Sequence, residues 1–275
     1  MPEIVLALAP HPDDAEIFCG GTLAKLASEG ATIHIVVATD GRKGSFLEES
    51  DELARLRADE MRRAAAALGA QPPVLLGFPD MELDTLRPGV LREQFTRCIR
   101  RFRPDIVFAQ DPYALYEPHP DHRAAAWAAL EAINCAPLPL AYPQHLAEGL
   151  QPHLVREKYF YGPELPGANR IVDTTAFFDR KIASVAEHRS QVVFLVEGIA
   201  RQVAMAGLDI RQVAGGAAGS PLELLAFGLR AQDAAVGRAI GVRYAEAYRW
   251  VRYHALVEAA LAQAAGETAE REQAR

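Results

Sequence analysis

The chain has few cysteines, no long apolar run and no excess of basic residues. Its three cysteines, Cys19, Cys98 and Cys135, are an odd number, which predicts free buried thiols in a reducing compartment rather than disulfides. No apolar run reaches the roughly 20 residues that a membrane-spanning helix needs. The short apolar run at the N-terminus has no basic residue ahead of it and predicts a strand, not a signal peptide. We therefore expect a cytoplasmic protein with no membrane partner.

The charge balance is acidic and the hydrophobic content is high. The formal net charge is −7, which argues against a nucleic-acid partner because such proteins present a basic face. Half of the 275 residues are hydrophobic, so the chain can bury a sizeable core. This length suits one large α/β domain, or such a domain with a helical part appended.

Strand and helix patterns alternate over the first half of the chain, and short loops join them. This alternation predicts an α/β fold, a Rossmann-like and mostly parallel sheet with helices on both faces. The predicted strands are Ile4–Ala9, Thr32–Thr39, Val74–Phe78 and Asp105–Gln110, and the predicted helices are Gly20–Glu29, Glu48–Leu68, Pro88–Phe102 and His122–Ile133.

The second half of the chain changes character. Prolines over residues 135–152 predict a loop, and two short strands and a helix follow it. Residues 192–265 have a mostly helical pattern. We therefore predict an α/β domain over residues 1–191 and a helical C-terminal extension over residues 192–275. That extension either belongs to the same domain or forms a lid or an oligomer contact, and its apolar helices make a homo-oligomer plausible.

Two short clusters of histidine and aspartate follow apolar strands. His11-Pro12-Asp13-Asp14 comes directly after the first predicted strand, and His119-Pro120-Asp121-His122 comes a few residues after the fourth. The carboxyl ends of parallel strands meet at one edge of a sheet, where such folds bind their ligands. One cluster alone is also typical of an ordinary turn or helix cap. Two clusters at one edge favour a metal site.

The ligand count favours a catalytic site over a structural one. A catalytic zinc takes three protein ligands and leaves one position for water, and the best three are His11, Asp14 and His122. Asp13 then remains as a general base for attack by hydroxide generated at the metal. His119 remains as a cation that stabilises the oxyanion or protonates the leaving amine. The alternatives are that Asp13 caps a helix and that His119 is a fourth ligand.

Several motifs together resemble one known family. Several segments of the chain resemble motifs of the PIG-L/LmbE-like N-acetylglucosaminyl deacetylases. They are residues 10–16 with 19–22, residues 39–45, the His-Pro-Asp-His-Arg run at 119–123, and Lys181 with residues 188–191. The resemblance covers roughly residues 3–191. It implies zinc-dependent hydrolysis of an N-acetyl amide on a glucosamine-type sugar or sugar conjugate, with another divalent ion as the alternative to Zn²⁺.

The resemblance also implies roles for individual residues. It gives the same three ligands and the same general base as the count above. Arg57 matches a family arginine that faces the substrate, with a solvent-facing helix residue as the alternative. Asp80 is at a strand end and is expected to bind a sugar hydroxyl, with a turn residue as the alternative. Some members have a tyrosine two residues before the histidine of the second cluster, where this chain has Glu117, and Tyr116 is the candidate replacement.

Three other functions stay open on the sequence. The same site can serve an amidase that acts on a larger acyl or thiol conjugate. A non-catalytic Rossmann-like binding module with a structural metal would instead close the site with four ligands. A metal phosphoesterase would usually hold two ions.

Overall fold

The computed structural model describes residues 2–163, 165–213, 219–254 and 256–263. Strands and helices are numbered in chain order. The strands are β1 Ile4–Ala9, β2 Thr32–Thr39, β3 Val74–Phe78, β4 Ile106–Gln110, β5 Glu157–Tyr161, β6 Arg170–Asp173 and β7 Ala245–Val251. The helices are α1 Asp14–Ser28, α2 Ser50–Leu68, α3 Val90–Phe102, α4 Pro120–Cys135, α5 Pro143–Ala147, α6 Phe178–Val185, α7 Arg189–Met205, α8 Ile210–Val213 and α9 Pro221–Arg238. Residues 256–263 are also helical.

The seven strands form one sheet in the order β3-β2-β1-β4-β5-β7-β6. Strands β1 to β5 are parallel, and β7 runs antiparallel to both β5 and β6. Because the chain runs from β1 outward to β3 and then returns to β4 on the other side of β1, the strand order reverses between β1 and β4. Open α/β sheets bind ligands at such a switch point.

Helices cover both faces of the sheet, as the sequence predicts. Alternate residues of a strand point to opposite faces, so in β1 Leu6 and Leu8 join a core under α3 and α4, while Val5 and Ala7 join a second core under α1 and α2. Both faces of the central strands are therefore apolar. The expected Rossmann-like, mostly parallel sheet is confirmed.

Helix α1 begins six residues earlier than the sequence indicates. We predicted a helix from Gly20, but it starts at Asp14 and passes through Gly20 and Gly21. Both glycines allow close packing, since a Cβ on Gly21 would lie 2.7 Å from the Cβ of Thr174. The early start places the carboxylate of Asp14 in the first turn, where the helix dipole stabilises negative charge.

Two further differences concern the second half of the chain. The proline-rich segment expected to be a loop contains the short helix α5, whose His145 is fully buried. The C-terminal part expected to be mostly helical contributes β7 to the sheet as well as α7 to α9. The predicted domain boundary after residue 191 stays a prediction. None of the described helices is both long and apolar enough to cross a bilayer.

A buried ion network explains why β7 escaped the sequence analysis. The core face of β7 carries Glu246, and Glu246 accepts hydrogen bonds from Lys181 Nζ at 2.9 Å and from Thr22 Oγ1 at 2.6 Å. Lys181 Nζ also donates to Asp233 Oδ2 at 2.8 Å. The acidic residue breaks the apolar pattern of a core strand, and its partners lie far away in the sequence.

Candidate metal centre

The two histidine-aspartate clusters meet at the switch point of the sheet. The loop after β1 carries His11 and leads into α1, and the loop after β4 leads to His119 at the start of α4. Strands β1 and β4 are hydrogen-bonded neighbours and parallel, so both loops leave the sheet at the same edge. The local fold therefore brings together two segments that lie more than one hundred positions apart.

The three predicted ligands converge, and each contributes either one ring nitrogen or one carboxylate group to the same region. The Nδ1 atom of His11 lies 3.2 Å from Asp14 Oδ2 and 3.2 Å from His122 Nε2. His122 Nε2 lies 3.4 Å from the other carboxylate oxygen of Asp14. The site thus presents two imidazole nitrogens and one carboxylate to a common point.

This spacing fits a single tetrahedral ion. Nitrogen and oxygen ligands lie about 2.0–2.2 Å from zinc, and two such ligands at a tetrahedral angle are about 3.4 Å apart. The two histidine nitrogens are 3.2 Å apart, and they lie 3.2 and 3.4 Å from different oxygens of the Asp14 carboxylate. Two imidazoles with one carboxylate also form a donor set typical of zinc and other divalent ions.

The second ring nitrogen of His11 faces two buried carboxylates. His11 Nε2 lies 3.1 Å from Asp80 Oδ1 and 3.2 Å from Asp121 Oδ2. A metal-binding histidine usually gives its other nitrogen to a carboxylate in this way, which fixes the ring and the tautomer. Backbone N–H groups of Met81 and Leu83 donate to Asp121 and hold it in place. These two carboxylates and His11 Nε2 form an alternative metal-binding group by spacing alone.

The second nitrogen of His122 also has a carboxylate partner. His122 Nδ1 lies 3.0 Å from Glu117 Oε2, and the backbone N–H of His119 donates to Glu117 Oε1 at 2.9 Å. The sequence analysis assigned no structural contact to Glu117. Its position five residues before a candidate ligand, in the loop that carries both histidines, was the available signal.

The charges around the site are arranged for a cation. Burial opposes the charged form of His11, but hydrogen bonds to Asp121, Asp14 and Asp80 raise its pKa well above the usual value. Burial would raise the pKa of Asp14, but the charge of His122 and the hydrogen bond from His11 lower it overall. The carboxylates around His11 therefore favour a positive charge at this point, and a divalent ion bound there would compete with protons for the imidazole.

Asp13 lies beside this group in a strained conformation. Its backbone has φ 131° and ψ −28°, which L-residues rarely adopt and which costs about 1–3 kcal/mol. Its side chain makes no capping hydrogen bond to α1, so the helix-cap alternative is wrong. Burial raises the pKa of Asp13 to about 6, although the charge of Arg57 opposes this rise.

Arg57 is buried behind Asp13. It is only 2% exposed, so the alternative of a solvent-facing helix residue is wrong. Its guanidinium donates to the carbonyl oxygens of Pro12 at 2.6 Å and Gly41 at 2.9 Å, and Nη2 lies 3.3 Å from Asp13 Oδ1. Gly41 leaves the space that this requires, since a Cβ there would lie 2.3 Å from Arg57 Nη1. Arg57 thus joins the loops after β1 and β2 and faces Asp13.

His119 lies against both of the candidate histidine ligands. Its ring centroid lies 4.5 Å from that of His11 and 4.8 Å from that of His122. Burial and the charges of those two histidines lower the pKa of His119. Its predicted role as a cation stays a prediction. Its Nδ1 accepts from the backbone N–H of Asp121 at 3.2 Å, so the proton of the neutral ring is on Nε2. By spacing, one nitrogen of His119 is also close enough for a fourth ligand.

The remaining substrate-binding candidates lie in different surroundings. Asp80 is buried, with Oδ1 facing His11 and Oδ2 accepting from the backbone N–H of Lys43 at 3.0 Å. It therefore supports a ligand histidine, and its predicted contact with a sugar hydroxyl stays a prediction. Tyr116 is 89% exposed in the loop before α4 and has φ 53°. Its predicted role at the substrate also stays a prediction.

A cleft of about 320 Å³ opens over the three candidate metal ligands. Its polar floor contains both predicted catalytic residues and all three predicted ligands, and its apolar wall comes from α1, α7 and α9. A few convergent polar groups in a mostly apolar hollow are typical of a small-molecule site. The polar floor is formed by His11, Asp13, Asp14, Arg57, Asp80, His119 and His122, and the apolar wall includes Phe194, Leu195, Ile199 and Leu225.

Comparison with known proteins finds a family model and curated relatives that are described as deacetylases. A family model described as PIG-L, GlcNAc-PI de-N-acetylase, matches residues 6–133. The chain is 38% identical over 189 residues to a diacetylchitobiose deacetylase of Thermococcus kodakarensis, covering 68% of this chain and 69% of that protein. It is 30% identical over 173 residues to a probable N-acetyl-alpha-D-glucosaminyl L-malate deacetylase 2 of Bacillus anthracis, covering 58% of this chain and 76% of that protein.

A solved structure extends the similarity to nearly the whole chain. The N,N'-diacetylchitobiose deacetylase from Pyrococcus horikoshii superposes with a TM-score of 0.75 at 31% sequence identity. The match covers 92% of this chain and 86% of that one.

Proposed function

Since the chain belongs to the PIG-L family of GlcNAc-PI de-N-acetylases, we propose that it hydrolyses the N-acetyl amide of a glucosamine-type sugar or sugar conjugate. The products are acetate and the free amine. Relatives named as deacetylases of chitobiose and of a glucosaminyl malate support this substrate class.

One observation carries the proposal. The nitrogens of His11 and His122 and the carboxylate group of Asp14 lie close to the mutual distances expected around one tetrahedral divalent ion, and Asp13 lies beside them. Three protein ligands leave a coordination position for substrate or water, whereas a structural zinc would be closed by four. We propose Zn²⁺ as the ion. The chemistry that such an ion supplies is Lewis-acid activation of the carbonyl and of the attacking water.

Asp13 has the properties of the general base. At neutral pH a carboxyl with a pKa of about 6 is mostly ionised, yet it is basic enough to accept a proton. As water adds to the acetyl carbonyl carbon, Asp13 takes one of its protons. The strained backbone and Arg57 hold the carboxylate in one position, which reduces the reorganisation needed during the reaction.

His119 has the properties of a hydrogen-bond donor to the carbonyl oxygen. Its Nδ1 is occupied by the backbone N–H of Asp121, so its Nε2–H is the group left to donate. A preorganised donor in a largely apolar cleft stabilises the negative charge that develops on that oxygen. When the carbon–nitrogen bond then breaks, the departing nitrogen takes a proton. The proton that Asp13 acquired balances this step without an external acid.

Product analysis tests the proposal. Purified protein loaded with Zn²⁺ is incubated with methyl N-acetylglucosaminide, and acetate and free amine are measured in parallel. We expect equal amounts of the two products, and no turnover after the ion is removed with a chelator. The N-propionyl and N-hexanoyl analogues give the control for acyl size. Faster hydrolysis of the longer acyl groups would favour the alternative amidase activity.

A further inference from the structure

A second hollow lies next to the catalytic cleft. It has a volume of about 450 Å³ and lies between the loop after β2, α2 and α7. Its apolar lining consists of Phe46, Leu47, Leu56, Val193 and Phe194, and we refer to it as the Phe46 groove. Four of these five side chains are exposed, so the groove presents a contiguous apolar patch beside the cleft.

The Phe46 groove is continuous with the cleft. Phe194 on α7 lines both hollows, and its ring centroid lies 4.9 Å from that of Phe46. In two places, residues that are neighbours in the chain line different hollows. Gly44 and Gln191 line the cleft, whereas the adjacent Ser45 and Ser190 line the groove. Gln191 Nε2 donates to the carbonyl oxygen of Gly44 at 2.9 Å, which ties the loop to α7 at this junction. The cleft and the groove therefore adjoin, and a ligand longer than the cleft can reach the groove.

The charged residues that line the groove carry both signs, since Glu48, Glu60 and Glu197 are acidic while Arg63 and Arg189 are basic. Several of these groups have partners of their own. Glu60 accepts hydrogen bonds from both the backbone and the side chain of Ser190, and Arg63 pairs with Glu187 at 2.9 Å. Arg201 pairs with Glu197 and stacks over the Phe46 ring at 3.9 Å. This arrangement offers no concentrated charge for a phosphate or a carboxylate. It suits an uncharged ligand with an apolar face.

We infer that the Phe46 groove binds the group attached to the sugar, and that this aglycone is an uncharged aryl or alkyl group. The inference rests on the proposed function, because a sugar whose acetyl group lies at the metal centre must direct its remaining substituents away from it. Phe46 is then a specificity-determining residue that contacts the aglycone and not the reacting amide. Burial of the aglycone against the exposed rings removes apolar surface from water on both sides.

The test compares substrates that differ only in the aglycone. Values of kcat/KM are measured for the methyl, phenyl and octyl N-acetylglucosaminides in both anomers, and for N,N'-diacetylchitobiose. We expect the phenyl or octyl glycoside to exceed the methyl glycoside by about tenfold, which corresponds to burying roughly 60 Å² of apolar surface. The disaccharide, whose second ring is polar, should not share this advantage.

Variants then assign the preference to the groove. Phe46→Ala should reduce the phenyl-to-methyl ratio by about fivefold, which is within the loss of affinity expected when one aromatic contact is removed. Val193→Asp, which places a carboxylate in the groove, should reduce it further. Phe227→Ala is the matched control, because Phe227 on α9 is 44% exposed, like Phe46 at 45%, but does not line the groove. It should leave the ratio unchanged.

Each outcome decides one claim. Hydrolysis of the methyl glycoside with no gain for phenyl or octyl would overturn the aglycone assignment and leave the proposed function standing. An equal loss in Phe46→Ala for all substrates, or a preference for the disaccharide, would also overturn the assignment. Failure of the wild-type protein to release acetate from any of these glycosides would overturn the proposed function itself.

Discussion

Nδ1 of His11 and Nε2 of His122 lie 3.2 Å apart, although 111 positions separate the two residues in the chain. The opposite nitrogen of each ring faces a carboxylate, from Asp80 and Asp121 in one case and from Glu117 in the other. Both rings are therefore oriented by outer contacts, and their inner nitrogens are directed at one point. This arrangement is what a divalent-metal site requires, and the following predictions depend on it.

The first prediction concerns the general base. Asp13→Asn should reduce turnover by about a thousandfold, because the amide cannot accept a proton from water. The bound ion should remain, since Asp13 is not among the three proposed ligands. Turnover and metal content by elemental analysis are measured on the same sample, with Asp59→Asn on the exposed face of α2 as the control. Near-wild-type turnover in Asp13→Asn would show that another group takes the proton.

The second prediction concerns pH. The ionised form of Asp13 is the active one, so kcat/KM should rise with pH through an acidic limb. Burial raises the pKa of Asp13 to about 6, and the positive charge of a bound ion lowers it, so the midpoint should lie at or below about pH 6.

A substitution at Arg57 tests whether Asp13 controls the acidic limb of the pH profile. The charge of Arg57 lowers the pKa of Asp13, so Arg57→Gln should move the acidic limb to higher pH, whatever happens to the maximal rate. Arg63→Gln, on the same helix but paired with Glu187 at the surface, should leave the limb in place. A limb that stays fixed or moves to lower pH in Arg57→Gln would mean that Asp13 does not control it.

The third prediction concerns the carboxylate behind His122. Glu117→Gln should weaken metal binding by about 10- to 100-fold, because the neutral amide orients the imidazole less firmly and makes it a weaker ligand. Competition titration with a chromophoric chelator measures the affinity directly. Glu131→Gln, an exposed position on the same helix as His122, is the control. An unchanged affinity in Glu117→Gln would remove Glu117 from the metal site.

The fourth prediction concerns the buried network that joins α6, α9 and β7. Lys181→Met leaves the carboxylates of Asp233 and Glu246 buried without their cation. We expect the free energy of unfolding to fall by about 3–5 kcal/mol, as measured by urea denaturation. Lys25→Met on the partly exposed face of α1 should change it by no more than about 0.5 kcal/mol. Equal stability of the two variants would mean that the network contributes little.

The sequence was sufficient for the parallel part of the sheet and for the cluster of candidate ligands. Apolar runs followed by short polar loops predicted β1 and β4, and the edge shared by parallel strands placed His11 near His122. These signals are local, or they follow from general rules of α/β topology. The predicted cytoplasmic location and self-association stay predictions.

The contacts that orient the site could not be predicted in the same way. Asp121 faces His11 rather than its own helix, and this depends on the backbone of Met81 and Leu83, some 40 positions away. The lowered pKa of His119 depends on burial and on two neighbouring histidines that come close only in the folded chain. Likewise, the burial of Glu246 depends on Lys181. Each of these requires the three-dimensional arrangement of charged partners.

The most direct test of the central claim is the anomalous scattering of a crystal of the zinc-loaded protein at the zinc absorption edge. We predict one peak per chain, about 2.0–2.2 Å from His11 Nδ1, His122 Nε2 and a carboxylate oxygen of Asp14. In that map His119 Nε2 should lie beyond coordination distance. A peak on the opposite side of His11, between its Nε2, Asp80 and Asp121, or a fourth protein ligand that closes the site, would contradict the account.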